Sequence, residues 1–386
     1  MDHRDEMLDR LGKEQSDQGK SSDSSTETAT KENNEGKMTA SNNPTSPESS
    51  SVAVAGQALQ LGKGLDIGTA NIICAVQSSS GDISITAERN AFLDIQADVH
   101  SKGMLTKLKV PYVVHESKLI VIGDSAFELA NIFNRATRRP MHDGLISPAE
   151  VDALPMIRLI IEKTLGAPQE KGEFVYFSVP AESIDTQNNI VYHQGLFEGM
   201  LSKMGYSPKT INEGHAVVFA ELAESDFTGI GISCGGGMFN VCVSWKTIPT
   251  LSFSISRGGD WIDKNVAEVL GIPTSRATFI KESGIDITAP KNRDEEAVSI
   301  YYRNLISYLL GNVKSQFESS KGMPNFASPV PIVFAGGTSK IGGFIDIVRQ
   351  EFEKIDFPIP ISEITVADEP LHSVARGCLV AAALGE

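Results

Sequence analysis

The sequence predicts an α/β protein made of two duplicated α/β halves that face one another across a cleft. Three observations carry this. Two glycine-containing turns, Gly64-Leu65-Asp66-Ile67-Gly68-Thr69-Ala70-Asn71 and Gly231-Ile232-Ser233-Cys234-Gly235-Gly236-Gly237-Met238, each lie between two apolar, β-rich runs. A third apolar run, Val333-Phe334-Ala335, passes through Gly336-Gly337-Thr338 towards a helix. Around both turns the order of elements repeats as β-β-β-α-β-α, the order of a duplicated α/β unit.

Residues 1–60 precede this pattern. They are rich in Ser, Thr, Asn, Glu, Asp and Lys, carry 11 acids against 6 bases, and have too little apolar surface to offset chain entropy. The expectation is a disordered tail, with residues 61–226 and 227–386 as the two halves. Met7-Leu8-Asp9-Arg10-Leu11 could open a short amphipathic helix, but its apolar face is tiny and it is not basic.

In the first half, Leu61 to Asp66, Ile72 to Gln77 and Asp82 to Ala87 read as strands, and Val110 to Val114 with Leu119 to Ile122 as a hairpin. Ser147-Pro148-Ala149-Glu150 has the pattern of a helix start, predicting a helix to Leu165 that stops at Gly166. Phe174 to Val179 reads as a buried strand and Asn188 to Met204 as an amphipathic helix ended by Gly205, with another strand and helix surrounding Glu213. In the second half, strands are expected around the Ser233 turn, at Phe239 to Val243 and at Thr250 to Ser256. Helices follow at Asp260 to Leu270 and Asp294 to Ser319, then the strand, loop and helix at Phe334. A last helix near residues 370–384 is expected to pack back on the first half.

Composition narrows the function classes. The chain has 386 residues, 41% apolar residues, a net charge of −15 and a pI near 5. That suffices for two cores and argues against nucleic acid or anionic lipid as an electrostatically held partner. Cys74, Cys234, Cys242 and Cys378 show no Cys-x-x-Cys spacing, which suggests reduced thiols and no structural metal. No stretch has the length and apolarity of a membrane span or a signal peptide, so the expected location is cytoplasmic.

The turns have a chemical reading. A loop without bulky side chains lets backbone N–H groups approach phosphate oxygens, and Asp66 stands where a phosphate-bound metal could be held through water. Each turn taken alone reads equally as a tight β-hairpin, and Asp66 as an Asx-turn residue. Three loops in one chain favour the phosphate reading.

Asp66 to Asn71, Asn212-Glu213-Gly214-His215-Ala216, Gly235-Gly236-Gly237, Gly258-Gly259-Asp260, Ala335-Gly336-Gly337 and the segment Asp368 to Gly377 together resemble the actin-like ATPases of bacteria. The likeness is to the MreB-like rod-shape proteins, including the magnetosome actin-like filament protein, over residues 62–386. Ile122 to Glu128 and Asp143-Gly144-Leu145-Ile146 resemble the magnetosome branch. The resemblance implies an actin-like ATPase fold that binds ATP and Mg²⁺ and self-associates into filaments. Membrane- or organelle-associated protein partners are a further expectation, and nucleic acid is not.

It also implies roles. Asp66 would organise Mg²⁺ through water, and Gly68, Thr69, Ala70 and Asn71 would donate to the β-phosphate. Glu213 would position the attacking water; its alternative is a solvated acid at a helix N-terminus. Gly235, Gly236 and Gly237 would give backbone access to the β- and γ-phosphates. Gly336 and Gly337 would lie against adenosine, with Lys281 and Glu282 near adenine and ribose; Lys281 reads equally as a surface lysine.

The second loop departs from the pattern, in which an acid and a threonine stand where this chain has Ser233 and Met238. Losing a charge-assisted contact of about 1.5–3 kcal/mol predicts roughly a 10- to 150-fold slower reaction. Binding should survive better than hydrolysis. The competing classes are a sugar or acid kinase of the same superfamily, for which no acceptor-activating carboxylate stands out, and a non-hydrolysing nucleotide-binding scaffold. A chaperone-like ATPase would need a peptide-binding domain that this chain lacks.

Overall fold

A computed structural model describes residues 62–385, apart from 79, 134, 188 and 189. The expected tail over residues 1–60 lies outside the described residues. Strands β1 (Lys63–Ile67), β2 (Asn71–Gln77) and β3 (Ile83–Arg89) form an antiparallel meander around the first turn. Then β4 (Phe92–Gln96), helix α1 (Val99–Leu108), β5 (Val113–His115), β6 (Lys118–Ile122) and α2 (Asp124–Ile132) build a small insertion on a three-stranded sheet. A short pair, β7 (Met141–His142) and β8 (Leu145–Ile146), leads to α3 (Ala153–Leu165), β9 (Phe174–Val179), α4 (Ile190–Lys203), β10 (Ser207–Asn212) and α5 (Glu213–Glu221).

The second half begins with β11 (Gly229–Cys234), β12 (Phe239–Trp245) and β13 (Ile248–Ile255), again an antiparallel meander. It continues through α6 (Gly259–Leu270), α7 (Thr274–Glu282), α8 (Arg293–Ser319), β14 (Val330–Ala335), α9 (Phe344–Phe352), β15 (Ile361–Val366) and α10 (Ser373–Leu384). The sheets run β10-β9-β1-β2-β3 and β13-β12-β11-β14-β15. Read from opposite edges these are one order, with β9 and β14 parallel to β1 and β11. The duplication inferred from the element pattern is therefore a duplication of topology. Among the described residues no helix is long and apolar enough to cross a membrane.

One expected boundary is corrected. The helix predicted from Ser147 begins at Ala153 instead. Glu150, read as the reciprocal member of a capping box, is taken by Arg138, whose Nε donates to Oε2 at 3.0 Å. Its Oε1 accepts from the Asp152 N–H at 3.2 Å, so residues 147–152 form turns.

The closing helices of the two halves are exchanged. Helix α5 follows the first sheet yet packs against β11 and β12, while α10 follows the second sheet and packs against β1, β9 and β2. A small residue on each central strand permits the crossing. A Cβ at Gly64 would fall on the Ala375 carbonyl and the Leu379 backbone of α10, and one at Gly231 on the Gly214 carbonyl and Val218 of α5. These glycines, which open the two turn motifs, serve helix packing rather than phosphate access.

Two buried polar side chains hold the first half together. The Lys63 ammonium on β1 donates to Leu165 O (3.2 Å), Ala167 O (3.1 Å) and Tyr206 Oη (2.9 Å), with Glu173 at 3.7 Å as counter-ion. It thereby closes the carbonyl end of α3. His193 on α4 packs edge-on against Phe197 at 4.8 Å, and its Nδ1 accepts from the Ile146 N–H at 3.3 Å.

Candidate functional site

The first turn joins β1 to β2 and the second joins β11 to β12, so both project from the same ends of equivalent strands. A cavity of about 440 Å³ lies between them. Asp66, Gly68, Thr69, Ala70 and Asn71 line one wall, and Gly235, Gly236 and Gly237 the facing one. Glu213 lies on its floor, and Lys281, Glu282, Gly336 and Gly337 border the rest. The fold thus brings every residue nominated from the sequence to a single cavity.

Hydrogen bonding turns the loops so that their donors face inwards. In the first, the Gly68 N–H donates to Asn71 O at 3.0 Å. The Gly68 and Ala70 carbonyls are held from behind by Asn90, through Nδ2 and the backbone N–H respectively, both at 2.9 Å. In the second, Gly235 O accepts from Gly259 N–H (3.1 Å) and Thr338 Oγ1 (2.9 Å), and Gly236 O accepts from Asp260 N–H (2.8 Å). This leaves the N–H groups of Thr69, Ala70, Gly236 and Gly237 without a protein partner among the described residues. Convergent backbone donors of this kind make an anion-binding concavity.

Two carboxyls lie below the loops. Asp66 Oδ1 accepts from Ser178 Oγ at 2.7 Å, and Ser178 Oγ in turn accepts from the Ile67 N–H at 3.0 Å. Glu213 opens α5, whose N-cap Asn212 accepts from the Gly214 N–H, and its Oε2 accepts from Ser233 Oγ at 2.9 Å. Burial raises the pKa of both carboxyls above the ordinary carboxylate range. The Asp66 charge pushes Glu213 further up; Ser178 opposes the shift of Asp66, and Ser233 and Asn240 that of Glu213. Paired acids that resist losing both protons are arranged to accept a cation or share a proton. Glu213 thus stands at a helix N-terminus and borders the cavity, partly exposed there.

Three ion pairs edge the cavity. Lys281 Nζ donates to Asp263 Oδ2 (2.8 Å) and Gly259 O (3.0 Å) with its side chain 11% exposed, so it is not a surface lysine. Arg89 of β3 meets Glu282 of α7 at 3.2 Å, and Arg139, before β7, meets Asp260 at the start of α6 at 2.8 Å. Both arginine pairs join the two halves. Met238 is buried, its side chain seated against Gly144, where a Cβ would collide with it. Asn90, Ser178 and Arg139 were not nominated from the sequence. A lone Asn, Ser or Arg at a strand end or in a loop has no local signature, because its role is set by which backbone the fold brings to it.

The Volactin family model matches residues 61–382. No curated protein matches the sequence. Among solved structures, that of the MamK double helical filament is similar at 19% identity, covering 82% of this chain and 97% of that one, with a TM-score of 0.63. MreB5 of Spiroplasma citri bound to AMPPNP is similar at 16% identity, covering 83% and 95%, with a TM-score of 0.58. The ethanolamine utilization protein EutJ from Carboxydothermus hydrogenoformans is similar at 16% identity, covering 83% and 89%, with a TM-score of 0.50. At these identities the likeness is one of fold, and the fold is that of the actin-like ATPases.

Proposed function

This chain belongs to the Volactin family, and from that premise we propose that it is an actin-like protein that binds ATP in the cleft and polymerises into filaments. Its two halves are residues 61–226 and 227–386. The observation that carries the reading is the pair of topologically equivalent loops whose unpartnered N–H groups converge on one cavity above Asp66 and Glu213. Support also comes from MreB5, a protein of like fold solved with AMPPNP and with ADP, and from MamK, solved as a double helical filament.

In this reading the first-loop and second-loop N–H groups hold the phosphates, and the backbone at Gly336 and Gly337 lies along the nucleoside. Two adjacent carboxyls with raised pKa values fit a hard cation, so Asp66, beside Glu213, would hold Mg²⁺ through water. Such an ion neutralises phosphate charge. Ser178 fixes the Asp66 carboxyl, and Glu213 orients the water that attacks the terminal phosphate. Hydrolysis is slow, because the second loop supplies Ser233 where the resembled proteins have an acid, and the Ser233 hydroxyl occupies one oxygen of Glu213.

The test pairs fluorescent-nucleotide titration with sedimentation over a protein concentration series, with ATP, with ADP and without nucleotide. The reading expects saturable binding and a pelleting threshold that responds to ATP. It is overturned if ATP does not bind at millimolar concentration, or if ATP binds and the protein stays monomeric at every concentration.

A further inference from the structure

Two of the cleft's cations are committed elsewhere. Lys281 is bound by Asp263 and Gly259 O; Arg89 is bound by Glu282, with Asp124 at 3.8 Å, and lies 4.1 Å over the Phe127 ring. Arg139 is different. It reaches Asp260 with a single nitrogen, Nη1, which lies 2.8 Å from Oδ1 and 2.9 Å from Oδ2. Its Nη2 and Nε have no partner among the described residues, and the side chain borders the cavity.

Asp260 marks where those free donors stand. Its N–H donates to Gly236 O at 2.8 Å, and a Cβ on Gly236 would lie 3.6 and 3.8 Å from its two carboxylate oxygens. A phosphate seated on the second loop would therefore lie beside a carboxylate, and Arg139 is the cation that neutralises that carboxylate. A guanidinium can serve a carboxylate on one edge and a phosphate on another, which an ammonium point charge does less well.

We propose that Arg139 is a phosphate ligand of the cleft, tethered by Asp260 and contributed to the second loop from the opposite half of the molecule. The proposal rests on the nucleotide reading above. Asp260 holds the guanidinium at the second loop, and the terminal phosphates of a nucleoside di- or triphosphate take the unused N–H groups. Because Arg139 lies ahead of the Met141–Ile146 pair, its engagement fastens that segment to the second half, so the number of phosphates bound governs how firmly the cleft is closed.

Wild-type protein and the variants Arg139→Ala, Arg139→Lys and Asp260→Asn are titrated with AMP, ADP and AMPPNP in the presence of Mg²⁺. Both Arg139 variants should lose about tenfold or more in AMPPNP affinity, the size of a lost charge-assisted contact, with AMP affinity unchanged. Arg139→Lys keeps a cation for Asp260 and covers the case in which Arg139→Ala does not fold. Asp260→Asn loosens the tether but keeps the guanidinium, and should weaken AMPPNP binding less than Arg139→Ala does. Equal losses for all three nucleotides, no loss, or weakening by Asp260→Asn to match Arg139→Ala would mark a structural ion pair and overturn the proposal. A wild-type protein that binds none of the three nucleotides removes the proposed function, and this inference with it.

Discussion

The hydroxyl of Ser233 donates to Oε2 of Glu213 at 2.9 Å, joining the second loop to the first turn of α5. An acid at position 233 would put a third carboxyl beside two that already resist ionising together. The two residues are thus matched: the neutral hydroxyl adds no charge to Glu213, which the Asp66 carboxyl already pushes up.

Restoring the second loop therefore acts in two directions. Ser233→Asp with Met238→Thr should raise phosphate release by about tenfold or more, the size of a recovered charge-assisted contact. The same variant, without metal, should melt below the wild type, since like charges converge and the buried Met238 side chain is lost. Because the residues share one site, their effects should couple rather than add. Unchanged phosphate release with ATP still bound would show that the loop does not limit turnover.

Asn90 has no contact with the cavity, yet it restrains both outward carbonyls of the first loop. Asn90→Ala frees the Gly68 carbonyl. We expect a stability loss of about 1–3 kcal/mol and weaker binding of ATP, with adenosine affinity unchanged. Parallel titrations check this; a matching loss for adenosine would mean a general disturbance of the cleft.

Lys63 is a buried cation on which four groups converge. Lys63→Met keeps the stem volume but removes the ammonium from the Leu165 and Ala167 carbonyls and the cation from Glu173. The cost of breaking a buried pair this way is about 3–5 kcal/mol, to be read from urea unfolding. A loss below 1 kcal/mol, on the order of a surface ion pair, would mean that water replaces the ammonium there.

His193 gives the fold an acid-sensitive point. Burial lowers its pKa from 6.5 to about 4. Between those values the unfolded chain binds the proton and the folded one does not. Stability is therefore full above pH 6.5 and falls as pH drops towards 4, by on the order of 3 kcal/mol in all. Asp66 and Glu213, with raised values, act oppositely in the metal-free protein, contributing stability that is lost as pH rises. His193→Asn should flatten the acid limb of a melting-temperature profile and leave the alkaline limb in place. An acid limb of unchanged slope would assign it to other groups.

How much of this could be read in the sequence depended on burial. Phe174–Val179 was bounded correctly because a strand buried on both faces is an uninterrupted apolar run. Helix α1 went unseen because Leu105 is its only fully buried residue, so it has almost no apolar period to detect. Helix α7 and strand β15 fail for the same reason, each having few or no buried positions. The loop glycines were legible by type. The task of Gly64 and Gly231 was not legible, since only the course of α5 and α10 reveals what lies against them.

The exchange of α5 and α10 also bears on how the chain acquires its shape as it emerges from a ribosome. The first sheet has all five strands once residue 212 is made, but one face awaits a helix that ends at residue 384. Until then Ile73 and Ala75 lack Ala375 and Leu379, the residues that cover them. The first sheet is therefore covered there by residues from the far end of the chain. The second sheet has no such wait, because α5 precedes its first strand in the chain.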